Sequence, residues 1–290
     1  MQPLLESIFQ FLYIVLPIVS IGLAINILMT FTIKFAGKIG KPLIYTSGII
    51  GVPIHELSHV IMCIIFKHKI QEVRFFKPDK DNNTLGYVLH VYNKKSLYQR
   101  AGSFFIGIAP IVVGALLMIV LLNLITPTTS SSISRVLALK FASNGSTLNR
   151  IGSVFVCTMH MVIAFFNPKN LLDPGWWIFT IIACCIAMHM RLSASDIKGS
   201  ITGIIVVVLI LFIINIIIQV LFGNTSLREY LNSFYTSCSY IMTVMLFSLL
   251  FNVIVFLFFA ILSPLLKQKP TITQKPQQDD QGSEGTDIET

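Results

Sequence analysis

Charged residues are scarce in this sequence. Asp, Glu, Lys and Arg make up 12% of its 290 residues and apolar residues make up 54%, whereas a soluble domain usually has about a quarter of its residues charged. The apolar residues also form runs of about 18 or more, long enough to cross a hydrocarbon layer about 30 Å thick. The composition therefore excludes an ordinary soluble domain. It predicts a membrane protein with the lipid bilayer as a main partner.

Acidic residues are the rarer charge, with 13 against 21 basic residues and a net charge of +8. The basic residues lie mostly in short segments beside the apolar runs, where membrane proteins place topology signals and contacts with anionic lipid. We therefore expect no nucleic-acid partner. Cys-x-x-Cys pairs are lacking as well, and nearly all of the five cysteines fall in apolar stretches. This predicts buried, reduced thiols without redox chemistry.

The predicted fold is all-α, a polytopic membrane bundle of about six transmembrane helices with a small β-hairpin. Two stretches rich in Val, Phe and Tyr, Gln71–Lys77 and Leu85–Tyr92, flank a polar turn, which predicts the hairpin at about residues 71–92. It follows the second of the six apolar runs. These runs are Ile8–Ile33, Pro42–Phe66, Ala101–Ile125, Leu171–Leu192, Ile201–Phe222 and Tyr240–Leu265.

Three further segments differ in composition from the predicted spans. Thr126–Arg150 is rich in Ser and Thr and is expected to be a loop. Ile151–Asn167 is apolar but only 17 residues long, which favours an interfacial or re-entrant helix. The tail from Lys267 onward is rich in Gln, Lys, Asp, Glu and Gly, and is expected to be disordered.

The distribution of Lys and Arg favours both termini in the cytoplasm. This orientation places 13 basic residues in cytoplasmic segments and 8 on the opposite side. The compact loops, and the lack of an organellar targeting pattern, favour a multi-pass protein of a bacterial cytoplasmic membrane.

Ionisable residues interrupt the second apolar run at His55-Glu56-Leu57-Ser58-His59. Residues four apart lie on the same face of a helix, so the two imidazoles can bind one metal ion. Neutral imidazole suits Zn²⁺, which typically takes three protein ligands and a water in catalytic sites. Zinc lowers the pKa of that water to about 7, and Glu56 can accept its proton. The pattern predicts His55 and His59 as zinc ligands and Glu56 as the catalytic residue.

The third ligand has to come from elsewhere in the chain. In the predicted orientation His55 lies about 20 Å along the helix from Pro42, at 1.5 Å per residue, so the zinc belongs in the cytoplasmic half. Asp196, at the cytoplasmic junction of the fourth and fifth spans, fits this depth best, and Asp173 and His189 are the alternatives. Asp196 also suits a helix cap, and Asp173, followed by Pro-Gly, also suits a turn.

These features resemble the site-2 protease class of intramembrane zinc metalloproteases. The likeness rests on the His-Glu-x-x-His helix, the hairpin after it and a later Asp-containing break before another helix, and it covers roughly Pro42–Phe222. It implies that the two histidines of the motif bind zinc and that Glu56 is the general base or acid. The class carries its third ligand in a Leu-Asp-Gly motif, which this chain lacks; Ser195–Gly199 and Leu172–Gly175 are imperfect matches.

The resemblance leads to a division of the chain into four parts: a first helix and loop at 1–41, a metalloprotease-like membrane core at 42–222, a last loop and helix at 223–265, and the tail at 266–290. The leading interpretation is an HExxH zinc metallopeptidase that hydrolyses a peptide bond of a membrane-associated protein. The alternative is a non-catalytic metal-binding transporter, scaffold or pseudoprotease.

Two structural hypotheses accompany this interpretation. Backbone groups in lipid stay paired, so a substrate helix has to unwind before cleavage, and the hairpin would then bind it as an added strand. Gly48, Gly51 and Pro53, just upstream of the motif, suit either a water path to the metal or close helix packing.

Overall fold

The computed structural model describes residues 2–78, 84–141, 147–222 and 232–266, which are mostly helical. The turn at 79–83 and the tail from Lys267, which we expected to be disordered, lie outside these residues. Short 3₁₀ helices occur at Gly37–Ile39 and Pro168–Leu172. The α-helices are α1 (Gln2–Ala36), α2 (Gly40–Ile65), α3 (Leu97–Ile125), α4 (Pro127–Phe141), α5 (Thr147–Phe165), α6 (Pro174–His189), α7 (Ala194–Phe222) and α8 (Asn232–Leu266).

Four stretches of the described chain are long and apolar enough to cross a membrane: Ser7–Ile65, which covers most of α1 and all of α2, Leu97–Ile125, Ala194–Leu221 and Ser237–Pro264. Helix α6, in the predicted fourth span, has 16 residues, which is short of the roughly 20 residues that a span needs. These long apolar helices are compatible with a membrane protein, whereas the count of six spans stays a prediction.

A two-stranded antiparallel sheet follows α2, which confirms the predicted hairpin. It consists of β1 (Lys69–Arg74) and β2 (Tyr87–Val91), with Val73 opposite Val88. The register shifts between Ile70 and Glu72, and such a bulge bends a strand locally. The sheet therefore emerges directly from the end of the helix that carries the His-Glu-x-x-His motif.

The prediction of a loop at Thr126–Arg150 is wrong, because residues 127–141 form α4. Pro127 occupies the first position of α4. A backbone N–H at this position has no partner within the helix, so proline loses no hydrogen bond there. Ser131 donates through its hydroxyl to the Thr128 carbonyl and Ser134 to the Ser131 carbonyl, at 2.9 and 3.1 Å. Backbone carbonyls can thus satisfy serine hydroxyls within a helix. The helix expected within Ile151–Asn167 is present as α5, and its place relative to a bilayer stays a prediction.

The helices pack around α3, which contacts α1, α2, α6, α7 and α8. On one side, aromatic rings from α5, α6 and α8 form a core: the ring of Phe165 lies 5.7 Å from that of Phe179 and 5.3 Å from that of Phe247. On the other side, α6 and the start of α7 lie beside the part of α2 that carries the motif. This convergence brings residues that are distant in sequence to His55 and His59.

Candidate metal centre

Helix α2 places the two motif histidines one turn apart, with their Nε2 atoms separated by 3.3 Å. The opposite ring nitrogens meet backbone carbonyls: His55 Nδ1 lies 2.8 Å from the His189 oxygen and His59 Nδ1 lies 2.9 Å from the Ile106 oxygen. A carbonyl can only accept, so each Nδ1 donates its proton and each Nε2 keeps a lone pair. Histidines that bind metals are oriented by the same kind of contact.

Asp196, in the first turn of α7, places its carboxylate beside the Nε2 atoms of the two histidines. Its Oδ1 lies 3.4 Å from His59 Nε2 and its Oδ2 lies 3.9 Å from His55 Nε2. The carboxylate also accepts from the Ser193 N–H at 2.8 Å, while the Asp196 N–H donates to Ser193 Oγ at 3.1 Å. This reciprocal pair is a capping box. Asp196 therefore both caps α7 and faces the two histidines.

The three ligand atoms of His55, His59 and Asp196 lie within 4.8 Å of one another. In the tautomers described above, all three are acceptors, and their side chains are only 9–14% exposed. Acceptors that face one another away from water repel unless a cation or a proton lies between them. Two neutral imidazoles and one carboxylate form a donor set that zinc takes in catalytic sites. The residues present thus fit a zinc ion.

Two glycines allow the helices to approach this closely. A Cβ at Gly51 of α2 would collide with the Cys185 carbonyl and the His189 ring of α6, and a Cβ at Gly107 of α3 would collide with the Asp196 carbonyl of α7. The first contact lets α6 supply the carbonyl that orients the first histidine, and the second lets α7 supply the carboxylate. Close helix packing, one of the two roles considered upstream of the motif, is therefore what Gly51 provides.

Glu56 lines a cavity of about 530 Å³ together with the three candidate ligands, and it is 6% exposed. The hairpin forms one wall of this cavity through Thr84–His90, and Arg191 borders it from the α6–α7 connection. A carboxylate, a metal-ligand set and space for a peptide segment thus meet in one place.

Residues 48–149 match a family model described as "Putative zincin peptidase". The match covers less than half of the chain and includes the motif, the hairpin and α3, but it ends before Asp196. It supports a zinc metallopeptidase at the level of enzyme class, and it implies the zinc cofactor that the sequence predicted. The comparisons with curated proteins and with solved structures gave no match.

The other two candidate ligands occupy different positions. Asp173 caps α6, accepting from the Gly175 N–H at 2.9 Å, and 16 residues of helix at 1.5 Å each place it about 24 Å from the end at His189. The ring of His189 borders the cavity, with its Nε2 3.1 Å from Ser47 Oγ. Its carbonyl oxygen contacts His55 Nδ1.

Sequence reasoning missed two side chains on the cavity wall. Neither Arg191 nor His90 was predicted as a residue of the site. Burial lowers the pKa of Arg191, and the nearby Asp196 carboxylate opposes that shift. Arginine side chains keep their charge in proteins. The sequence did contain a signal that could have identified Arg191 as a site residue. It is a single cation between the end of an apolar run and the segment that contains Asp196.

Proposed function

We propose that this protein is an intramembrane zinc metallopeptidase, similar to the site-2 protease class, that hydrolyses a peptide bond of a membrane-associated protein. The observation that carries the proposal is the convergence of unprotonated His55 Nε2, His59 Nε2 and an Asp196 oxygen beside Glu56. The chain lacks a Leu-Asp-Gly motif, but Asp196 takes the place of its aspartate because it reaches the site from the first turn of α7. The site lies in the cytoplasmic half of the bilayer in the predicted orientation.

Each residue of the site has a chemical task in this proposal. The three ligands would hold a zinc ion, which would supply Lewis acidity and lower the pKa of water at the site to about 7. Glu56 accepts the proton of the attacking water and returns it to the departing amine. The His189 and Ile106 carbonyls hold the histidines in the tautomer that binds metal. Arg191 provides positive charge for the substrate oxygen that becomes negative during attack.

The hairpin supports a peptide substrate in extended conformation. Within the described residues the sheet has two strands, so only one edge of β2 is paired, and residues of β2 line the cavity. An unwound segment of a membrane protein can add along such an edge through backbone hydrogen bonds. The proposed substrate is therefore a membrane-associated polypeptide that unwinds beside the site.

The proposal is tested by comparing cells that express the wild-type chain with cells that express Glu56→Gln. Mass spectrometry of protein N-termini in isolated membranes would detect new cleavage products. We expect products with the wild-type chain only, because Gln cannot accept the proton. Glu284→Gln, the same substitution in the C-terminal tail, is the matched control and should retain the products.

Metal analysis of the purified variants separates the alternatives. Glu56→Gln should retain zinc, since Glu56 is not a proposed ligand, whereas a His55→Ala, His59→Ala double variant should lose the zinc ion of this site. Identical cleavage products from wild type and Glu56→Gln would reject the catalytic assignment. Zinc binding without any cleavage, together with metal uptake that survives Glu56→Gln, would favour a transporter or scaffold.

A further inference from the structure

A second group of ligand-type side chains lies outside the site described above. It consists of Cys63 near the end of α2, His68 just before β1 and His90 in β2, and one ligand atom from each lies within 4.8 Å of the other two. His68 Nδ1 and His90 Nδ1 are 3.1 Å apart. The group therefore joins the motif helix to both sides of the hairpin.

The second ring nitrogen of His68 shows which atom is available as a ligand. His68 Nε2 lies 2.7 Å from the Gln99 carbonyl oxygen and has to donate to it, so Nδ1 of the neutral ring carries a lone pair. Burial lowers the pKa of His68, and burial together with neighbouring His68 and His59 lowers the pKa of His90 to about 4. Both rings are thus neutral at pH 7, the form that binds metal.

The geometry fits a small transition-metal ion. With zinc–nitrogen distances of about 2.0–2.1 Å, two nitrogens of a tetrahedral site lie about 3.3 Å apart, close to the observed 3.1 Å between the Nδ1 atoms. The Cys63 side chain is fully buried and His68 is 5% exposed, whereas His90 borders the cavity. A water from the cavity can therefore complete a tetrahedral coordination. Zinc binds both thiolate sulfur and imidazole nitrogen, so the three side chains are of the kinds that it takes as ligands.

We propose that Cys63, His68 and His90 form a second zinc site, which ties the hairpin to the end of α2. Without metal, a proton on His90 Nδ1 makes the same contact with His68. Metal binding would replace that proton and would also release the Cys63 thiol proton to solvent, so that the sulfur binds as a thiolate. His90 also borders the cavity, so the second ion would set the position of β2 beside Glu56. The proposal of a second metal site does not depend on the proposed function, whereas its effect on cleavage rests on that function.

Cobalt(II) is the probe that separates the two sites. Only the second site contains sulfur, so a sulfur-to-cobalt charge-transfer band in the near ultraviolet reports on that site alone. The full-length protein in detergent, with cobalt in place of zinc, should bind two ions per chain and show the band. Cys63→Ala should lose the band and one ion, while Cys157→Ala, which truncates another buried cysteine in α5, should retain both.

The His55→Ala, His59→Ala double variant distinguishes failure of this proposal from failure of the proposed function. It should bind one cobalt ion and keep the sulfur band. Where Cys63→Ala does not fold, as judged by thermal unfolding, His90→Ala provides the second arm and should weaken cobalt binding at this site by 10-fold or more. A wild-type protein without the band, or a band that persists in a folded Cys63→Ala variant, would overturn the second site.

Discussion

His59 Nε2 lies 3.4 Å from Asp196 Oδ1, so a histidine in the middle of α2 meets a carboxylate at the first turn of α7. The same carboxylate accepts from the Ser193 N–H. Helix capping and metal binding are therefore compatible in one aspartate, because a carboxylate has two oxygens and about four acceptor positions. The cap restricts the rotation of the side chain and holds one oxygen toward the histidines.

Asp196→Asn separates these two tasks. The Asn side-chain oxygen can still accept from the Ser193 N–H, so we expect a loss of unfolding free energy below about 1 kcal/mol, from the negative charge removed at the helix N-terminus. Zinc affinity should fall by about 10-fold or more because the charged ligand is lost. Competition with a chromogenic chelator measures the affinity. Asp173→Asn, at the cap of α6, is the matched control. Loss of zinc in Asp173→Asn but not in Asp196→Asn would identify Asp173 as the third ligand.

Gly51→Ala should weaken zinc binding without touching a ligand. The new methyl group meets the His189 ring and the Cys185 carbonyl, and the separation of α2 from α6 stretches the hydrogen bond that orients His55. Loss of such an orienting contact typically lowers metal affinity by about 10–100-fold. Gly152→Ala in α5 is the control, since its Cβ meets nothing within 4 Å. Equal zinc affinity in both variants would show that the helix approach is not required.

Arg191→Met should lower the cleavage rate constant while zinc content stays at the wild-type level. Removing one group that stabilises a developing oxyanion usually lowers kcat by about 10²–10³-fold. Single-turnover cleavage of a substrate identified from the membrane N-termini measures this effect. Arg191→Lys should recover part of the rate because it restores the charge. A rate equal to wild type for Arg191→Met would remove this residue from the mechanism.

Deleting residues 71–92 should abolish cleavage and leave the zinc of the His55 site in place. The deletion removes the strand edge along which the substrate is proposed to add, but none of the three ligands in α2 and α7. The measurement combines the membrane N-termini with zinc content, which should fall only by the ion proposed at Cys63, His68 and His90. Normal cleavage by a chain that lacks these residues would show that the hairpin is a simple connection.

Local sequence pattern was sufficient where a structural feature depends on neighbouring residues. Two stretches rich in Val, Phe and Tyr around a polar turn predicted the hairpin, and the four-residue spacing of His55 and His59 predicted a shared helix face. The Ser/Thr-rich segment 126–150 was misinterpreted because composition does not reveal that backbone carbonyls of α4 accept from its serine hydroxyls. The short α6 was expected to be a full span because an apolar run does not show where a helix ends.

The sequence by itself determined a chain rich in apolar helices and a pair of histidines with a carboxylate between them. Only the tertiary structure decided which distant groups join that pair: the Asp196 carboxylate, the His189 and Ile106 carbonyls, and the hairpin with His90. The physical reason is that such contacts depend on how closely helices pack. Glycines at Gly51 and Gly107 permit that approach, and the partner of each becomes evident only when the helices are assembled.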